Sequence, residues 1–141
     1  HMDDIDTLYL ANLTFKKVTY HYDICKVITI LAGEEKKYID LNAQTQYLRE
    51  NNLLPKSLDE NFDVALPLRK GLTAYIFNKM LNVKSGVMLS LFKNSERYAL
   101  KELVDKGIMS AGRTDDIVSG DELSSIITQT ANYLAKNPPK Q

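Results

Sequence analysis

Three segments of the chain place apolar residues at the spacing of an amphipathic helix. Counting from Tyr20, Leu68 and Ser119, the fourth, seventh and eighth following positions are apolar in every segment. The matching positions are Ile24, Val27 and Ile28, then Leu72, Tyr75 and Ile76, then Leu123, Ile126 and Ile127. A stripe with this period predicts helices over residues 20–32, 68–81 and 119–134. The three starting points are 48 and 51 residues apart, which indicates an internal repeat.

A shorter helical pattern precedes each of these segments. The clearest copy has its apolar residues within 98–109. Its helix is closed by Gly107, because glycine easily adopts the left-handed conformation that follows a helix. Asn52 occupies the corresponding place in the middle of the chain, and asparagine is the next most tolerant residue there. A third, shorter copy lies near residues 8–13. The repeating unit is therefore predicted to be helix, loop, helix.

Helices with a single apolar stripe must bury it against one another. The pattern thus predicts an all-α fold in which three helix-loop-helix units pack around a common axis. The units cover residues 3–33, 38–82 and 94–134, with an apolar link at 86–92. The polar loops 56–66 and 110–118 are the expected contact loops, because loops on a rigid scaffold commonly carry binding residues.

The ends of the chain are expected to lie outside this domain. His1 and Met2 have the appearance of a cloning scar, and residues 136–141 are polar and proline-rich, as in a disordered tail. One domain over residues 3–135 remains. No apolar run approaches the roughly 20 residues of a membrane span, so we expect no membrane insertion of this domain.

Charge and cysteine content narrow the classes of partner. The chain has 18 Lys and Arg residues and 18 Asp and Glu residues. A formal net charge of zero gives no long-range field to attract nucleic acid, so no nucleic-acid partner is expected. Cys25 is the single cysteine and cannot form an internal disulfide.

The third unit carries a motif that resembles an S-layer homology repeat. It begins with Tyr98-Ala99-Leu100 and Leu103, reaches Gly107-Ile108-Met109, and continues through a loop with Gly112 and Asp115 to Ser119-Gly120-Asp121-Glu122-Leu123. Repeats of that family have a helix that ends in Gly-Ile, a short loop, and a helix that opens with a Thr-Arg-Ala-Glu-like motif. The middle unit offers residues 66–72 at the corresponding place, and the first unit matches least.

The resemblance implies a function and a location. Three such repeats form a pseudo-threefold helical bundle that attaches proteins to the bacterial cell wall through grooves between repeats. We therefore expect a non-catalytic binding or anchoring module of the cell envelope, periplasmic or at the cell surface. Its expected partner is a cell-wall polymer or another envelope protein. The alternative is a helical scaffold domain that keeps the fold and has lost polymer binding.

The same resemblance selects the candidate ligand-binding residues. The motif arginine is matched by Arg69, with Lys70 beside it, the threonine by Ser119, and the acid by Asp23 and Glu122; His21 stands at the arginine position of the first unit. A guanidinium such as that of Arg69 could bind a carboxylate bidentately, or it could pair with an acid of the chain such as Glu60 or Asp63.

Catalytic and cofactor chemistry is not expected from these residues. His21 and Cys25 are four apart on one helical face, but the pattern supplies no further metal ligands. No serine lies in a Gly-x-Ser-x-Gly elbow, and no glycine-rich phosphate loop is present. The sequence therefore predicts a protein that is not an enzyme and needs no cofactor or metal.

Overall fold

A computed structural model describes residues 4–85 and 95–138, and this part of the chain is all-α, with seven helices and no strand. The helices are α1 (Asp4–Leu13), α2 (His21–Leu31), α3 (Leu41–Glu50), α4 (Lys56–Asp59), α5 (Lys70–Ser85), α6 (Glu96–Asp105) and α7 (Gly120–Lys136). The single turn α4 lies within loop 56–66, which the sequence predicts to be irregular. The predicted all-α class is confirmed. In the described residues, no helix is long and apolar enough to cross a bilayer.

Three inner helices form the centre of the molecule. Helices α2, α5 and α7 each contact the other two, and each carries one shorter outer helix. The outer helix α3 packs on α2, α6 packs on α5, and α1 packs on α7. Every outer helix therefore packs on an inner helix from a different helix-loop-helix segment, which closes the chain into a ring of contacts.

The core is built from the predicted apolar stripes. The largest side chains that are withdrawn from water are Leu13, Ile24, Ile28, Leu48, Leu68, Leu72, Ile76, Phe77, Leu81, Leu103, Leu123 and Ile126. Most of them come from the inner helices. Burial of such side chains is the main stabilising contribution, about 1.5–3 kcal/mol for each one.

A ring of backbone hydrogen bonds joins the segments that precede the inner helices. The amide of Thr19 donates to the carbonyl oxygen of Val118 at 3.1 Å, Val118 donates to Leu68 at 2.9 Å, and Leu68 donates to Thr19 at 2.9 Å. All three residues are buried. Each lies two positions before the first residue of an inner helix, so the ring relates the three helix starts to one another.

This ring corrects the register of the predicted repeat. The inner helices begin at His21, Lys70 and Gly120, which are 49 and 50 residues apart, whereas the apolar pattern predicts separations of 48 and 51. Leu68 cannot begin α5 because its amide and carbonyl groups are both used in the ring. Consequently Lys70, and not Arg69, occupies the position of His21 and Gly120.

The predicted helix ends at Gly107 and Asn52 are confirmed by their backbone conformation. Gly107 has a φ of +75° and Asn52 a φ of +56°, both in the left-handed region. The C-terminal boundary differs from the prediction, since α7 includes Lys136 and Asn137 still donates its amide to the Tyr133 carbonyl oxygen at 3.0 Å. The apolar link 86–92, His1 and Met2, and residues 139–141 lie outside the described residues.

Candidate functional site

Arg69 lies just before α5 and is engaged by an acid from another segment. Its guanidinium donates to both carboxylate oxygens of Glu96, each at 2.9 Å, and to the carbonyl oxygen of Thr114 at 3.4 Å. The hydrogen bonds with Glu96 raise the pKa of Arg69. Pairing within the chain was one of the two interpretations of this arginine, but the partner is Glu96 rather than Glu60 or Asp63.

Lys70 is buried and holds the loop that leads into α7. Its ammonium group lies 2.9 Å from the Glu122 carboxylate, donates to Ser110 Oγ at 2.9 Å, and reaches the Ala111 carbonyl oxygen at 3.4 Å. Its own amide donates to the carbonyl oxygen of Asp116 at 2.7 Å. Lys70 therefore fixes both ends of loop 110–116 and is not exposed to bind a ligand.

Ser119 and Glu122 act at the start of α7. Ser119 is the N-cap, and its hydroxyl accepts a hydrogen bond from the Glu122 amide at 3.1 Å. A cap of this kind satisfies one of the free amides of the first turn. The structure thus brings Lys70, Ser119 and Glu122 together, but in a structural contact between α5 and α7.

Asp23 belongs to a separate buried cluster in α2. Its carboxylate accepts from Lys16 Nζ at 2.7 Å, from the Tyr9 hydroxyl at 2.7 Å and from the Tyr20 amide at 2.9 Å. Burial and the bond to Asp23 raise the pKa of the Tyr9 hydroxyl. With its side chain fully buried, Asp23 cannot contact an external ligand.

His21 packs in the core against an aromatic ring. It is 4% exposed and stacks on Phe62, with ring centroids 4.8 Å apart and planes 9° from parallel. Burial lowers the pKa of His21, the charge of Arg69 acts in the same direction, and Asp63 opposes both. In the described parts of the chain, no three His, Cys, Asp or Glu side chains could hold a metal ion together.

The stability of the protein is expected to fall as the pH drops below about 6.5, the usual pKa of histidine. The unfolded chain binds a proton on His21 more readily than the folded one does, because the folded pKa is lowered. Protonation therefore favours unfolding. Urea denaturation at pH 7.5 and 5.5 measures the change, which we expect to be smaller in His21→Gln. An identical pH dependence in both proteins would contradict the assignment.

A groove of the described surface lies between α6 and the loop that Lys70 holds. It has a volume of about 620 Å³, within the range of small-molecule sites. One wall is a single face of α6, and the other is residues 111–115. The lining residues are Arg97, Leu100, Lys101, Val104, Ala111, Gly112, Arg113, Thr114 and Asp115.

The groove carries more positive than negative charge. Three lining residues are cationic, namely Arg97, Lys101 and Arg113, and Asp115 is the one acid among them. Arg113 pairs with Asp115 at 3.1 Å, and Lys101 pairs with Asp105 at 3.3 Å. Arg97 is exposed and has no ion pair within the residues that the structure describes.

Two of the predicted site residues, Arg69 and Lys70, lie behind this groove rather than in it. Arg69 contacts Thr114 and Lys70 contacts Ala111, so both support the loop from its inner side. The sequence predicts loop 110–118 as a contact loop, but Arg97 and Lys101 are not among the residues predicted to bind a ligand. Their spacing of four on the exposed side of the α6 stripe places both on one helical face, which is the signal that could have identified them.

Comparisons of this chain with protein-family models, with curated proteins and with solved structures find no match.

Proposed function

We propose that this chain is a non-catalytic anchoring module of the bacterial cell envelope, which binds an acidic cell-wall carbohydrate in the groove between α6 and residues 111–115. The observation that carries the proposal is the groove itself, which is lined by three cationic side chains and by the apolar side chains of Leu100 and Val104. The resemblance of the third unit to S-layer homology repeats supports the choice of ligand class, because this groove belongs to that unit.

The proposal includes a fold of three repeats related by approximate threefold symmetry. The ring formed by Thr19, Leu68 and Val118 supports this relation, since each residue uses the same backbone groups at the same place before an inner helix. The first-turn amides give further support. Those of His21, Lys70 and Gly120 donate to the carbonyl oxygens of Leu66, Asp116 and Lys16, each in a different segment.

The groove has the groups that an acidic sugar requires. Arg97 and Lys101 are positioned on one face of α6 to donate charge-assisted hydrogen bonds to a carboxylate or phosphate. Leu100 and Val104, on the same face, provide an apolar floor for the less polar face of a sugar ring. Because the whole chain is neutral, attraction of an anion depends on this local arrangement and weakens as salt is added.

Removal of the two α6 cations tests the proposal. Wild-type protein is expected to sediment with purified cell-wall sacculi, and Arg97→Gln/Lys101→Gln to bind at least about tenfold more weakly, because each charged hydrogen bond contributes about 1.5–3 kcal/mol. Lys17→Gln/Lys36→Gln is the matched control, since it removes two exposed cations that lie outside the groove. The control is expected to bind as the wild type does.

Two outcomes would remove the wall-binding proposal. One is that neither wild type nor control sediments with sacculi, and the other is that the groove variant binds as well as they do. Arg69→Ala is a poorer test, because it leaves Glu96 without its bidentate partner and disturbs the loop that forms the groove wall.

A scaffold function is the second candidate, favoured by exposed apolar side chains near the starts of the inner helices. Phe15 is 82% exposed, Leu66 48% and Ile117 46%. Each of the three residues lies close to the start of an inner helix. The carbonyl group of Leu66 accepts from the His21 amide, and Ile117 pairs with Arg69 in an isolated β-bridge. Phe15 precedes Lys16, whose carbonyl group accepts from the Gly120 amide. Co-purification of a defined envelope protein would favour this function if that protein still binds the Arg97→Gln/Lys101→Gln variant and no longer binds Phe15→Ser.

A further inference from the structure

A second concave region lies along the last turns of α2. It is an apolar cleft of about 430 Å³ where α1 and α7 approach α2. The apolar lining residues are Leu10, Val27, Ile30, Leu31, Ile127 and Ala131. None of these residues lines the groove of the proposed function. A cleft of this size is in the range of small-molecule sites.

A polar pocket adjoins this cleft. It has a volume of about 200 Å³ and shares Ile30 and Glu35 with the cleft, so these two residues mark the boundary between them. The other polar groups of the pocket are already engaged. Lys26 pairs with Asp6 at 3.4 Å, and the Gln44 side chain donates to the Tyr38 carbonyl oxygen at 3.2 Å.

Glu35 is the exception among these groups. Its Oε2 atom is buried from water and has no hydrogen-bond partner among the described residues. A carboxylate oxygen in this position loses its hydration without a replacement, which is unfavourable. Because the Glu35 side chain lines both cavities, a rotation that turns this oxygen toward the cleft would let a ligand donate the missing hydrogen bond.

We infer that this cleft binds an amphipathic organic cation, with its apolar body between α2 and α7 and its ammonium group on Glu35. An anion is disfavoured, because the Glu35 carboxylate would repel it and Lys26, the one cation among the described residues that line the two cavities, is paired with Asp6. A neutral apolar molecule would fill the cleft and leave the Glu35 oxygen unsatisfied. Apolar burial and charge pairing both favour the cationic amphiphile.

Alkylammonium ions test the inference directly. Octylammonium chloride, titrated into the full chain and followed by amide NMR shifts, is expected to move the resonances of Val27, Ile30 and Ile127. Each methylene group that fits the cleft should strengthen binding about fourfold, so octylammonium should bind more tightly than hexylammonium. Octanoate, with the same body and the opposite charge, is expected to cause no such shifts.

Two variants separate the charge from the cleft. Glu35→Gln keeps the size of the side chain and is expected to weaken octylammonium binding about tenfold or more, whereas Glu50→Gln, on the exposed face of α3, should have no effect. Ala131→Phe places a ring at the exposed rim of the cleft and should block binding while the helical circular dichroism remains unchanged.

The inference is overturned if octanoate binds as tightly as octylammonium, if Glu35→Gln binds like the wild type, or if no shifts appear at millimolar octylammonium. Because the cleft and the groove share no residue, Arg97→Gln/Lys101→Gln should bind octylammonium normally. The result is thus independent of the test with sacculi.

Discussion

Gly120→Ala is expected to lower the free energy of unfolding by about 3 kcal/mol or more, although alanine is the better helix former. Gly120 is the first residue of α7, and its amide donates to the Lys16 carbonyl oxygen at 2.8 Å. A β-carbon at this position would overlap the Leu13 carbonyl oxygen and lie 2.8 Å from that of Lys16. Both obstacles are backbone atoms, so relief requires α7 to move away from the end of α1 and the loop that follows it.

Gly107→Ala is the matched control for this experiment. Gly107 has a φ of +75°, but a β-carbon there would meet nothing within 4 Å. Its substitution should therefore involve only the left-handed conformational cost of about 1–2 kcal/mol. Urea denaturation of both variants measures the difference, and a Gly120→Ala protein as stable as Gly107→Ala would contradict the close approach of α7 to the end of α1 and the loop that follows it.

Lys16→Met is expected to lower the free energy of unfolding by about 3–5 kcal/mol. Among the described residues, Lys16 is the one cation that contacts Asp23, whose side chain is 0% exposed. Removal of Lys16 leaves a buried carboxylate with two neutral donors, the Tyr9 hydroxyl and the Tyr20 amide. The loss comes from this uncompensated charge. Lys16→Met/Asp23→Asn should therefore be more stable than Lys16→Met alone, which a double-mutant cycle by chemical denaturation measures.

Lys17→Met provides the control, because it makes the same change one residue later at an exposed position with no partner in the described structure. Exposed substitutions of this kind usually change stability by about 0.5 kcal/mol or less. Equal destabilisation by the two variants, or no recovery in the Lys16→Met/Asp23→Asn protein, would show that the Asp23 cluster does not have the predicted role.

The inner helices could be predicted from the chain because their signal is local. The apolar stripe of α2 and its end near Gly33, for example, depend on residues within one segment. The exact start of α5 could not be predicted in the same way. Leu68 continues the apolar pattern, but its backbone groups bond to Thr19 and Val118, which are 49 and 50 residues away.

The candidate site was predictable only in part. The loop 110–118 was recognisable from its polar composition, and it forms one wall of the groove. Arg69 and Lys70 are predicted as ligand contacts because the resemblance matches Arg69 to the motif arginine and Lys70 lies beside it. Their partners Glu96 and Glu122 come from α6 and α7, and no local rule identifies such pairs.

The sequence by itself determined the helical class, the order of the six longer helices and the left-handed residues that follow α3 and α6, because apolar period and conformational preference act over a few residues. Tertiary structure decided which of Lys16 and Lys17 pairs with Asp23, why Gly120 has no room for a side chain, and which cations remain free to meet a ligand. Those outcomes depend on which atoms approach from distant segments. Packing places Glu122 beside Lys70, which is buried. None of the described acids lies beside Arg97, which is left exposed.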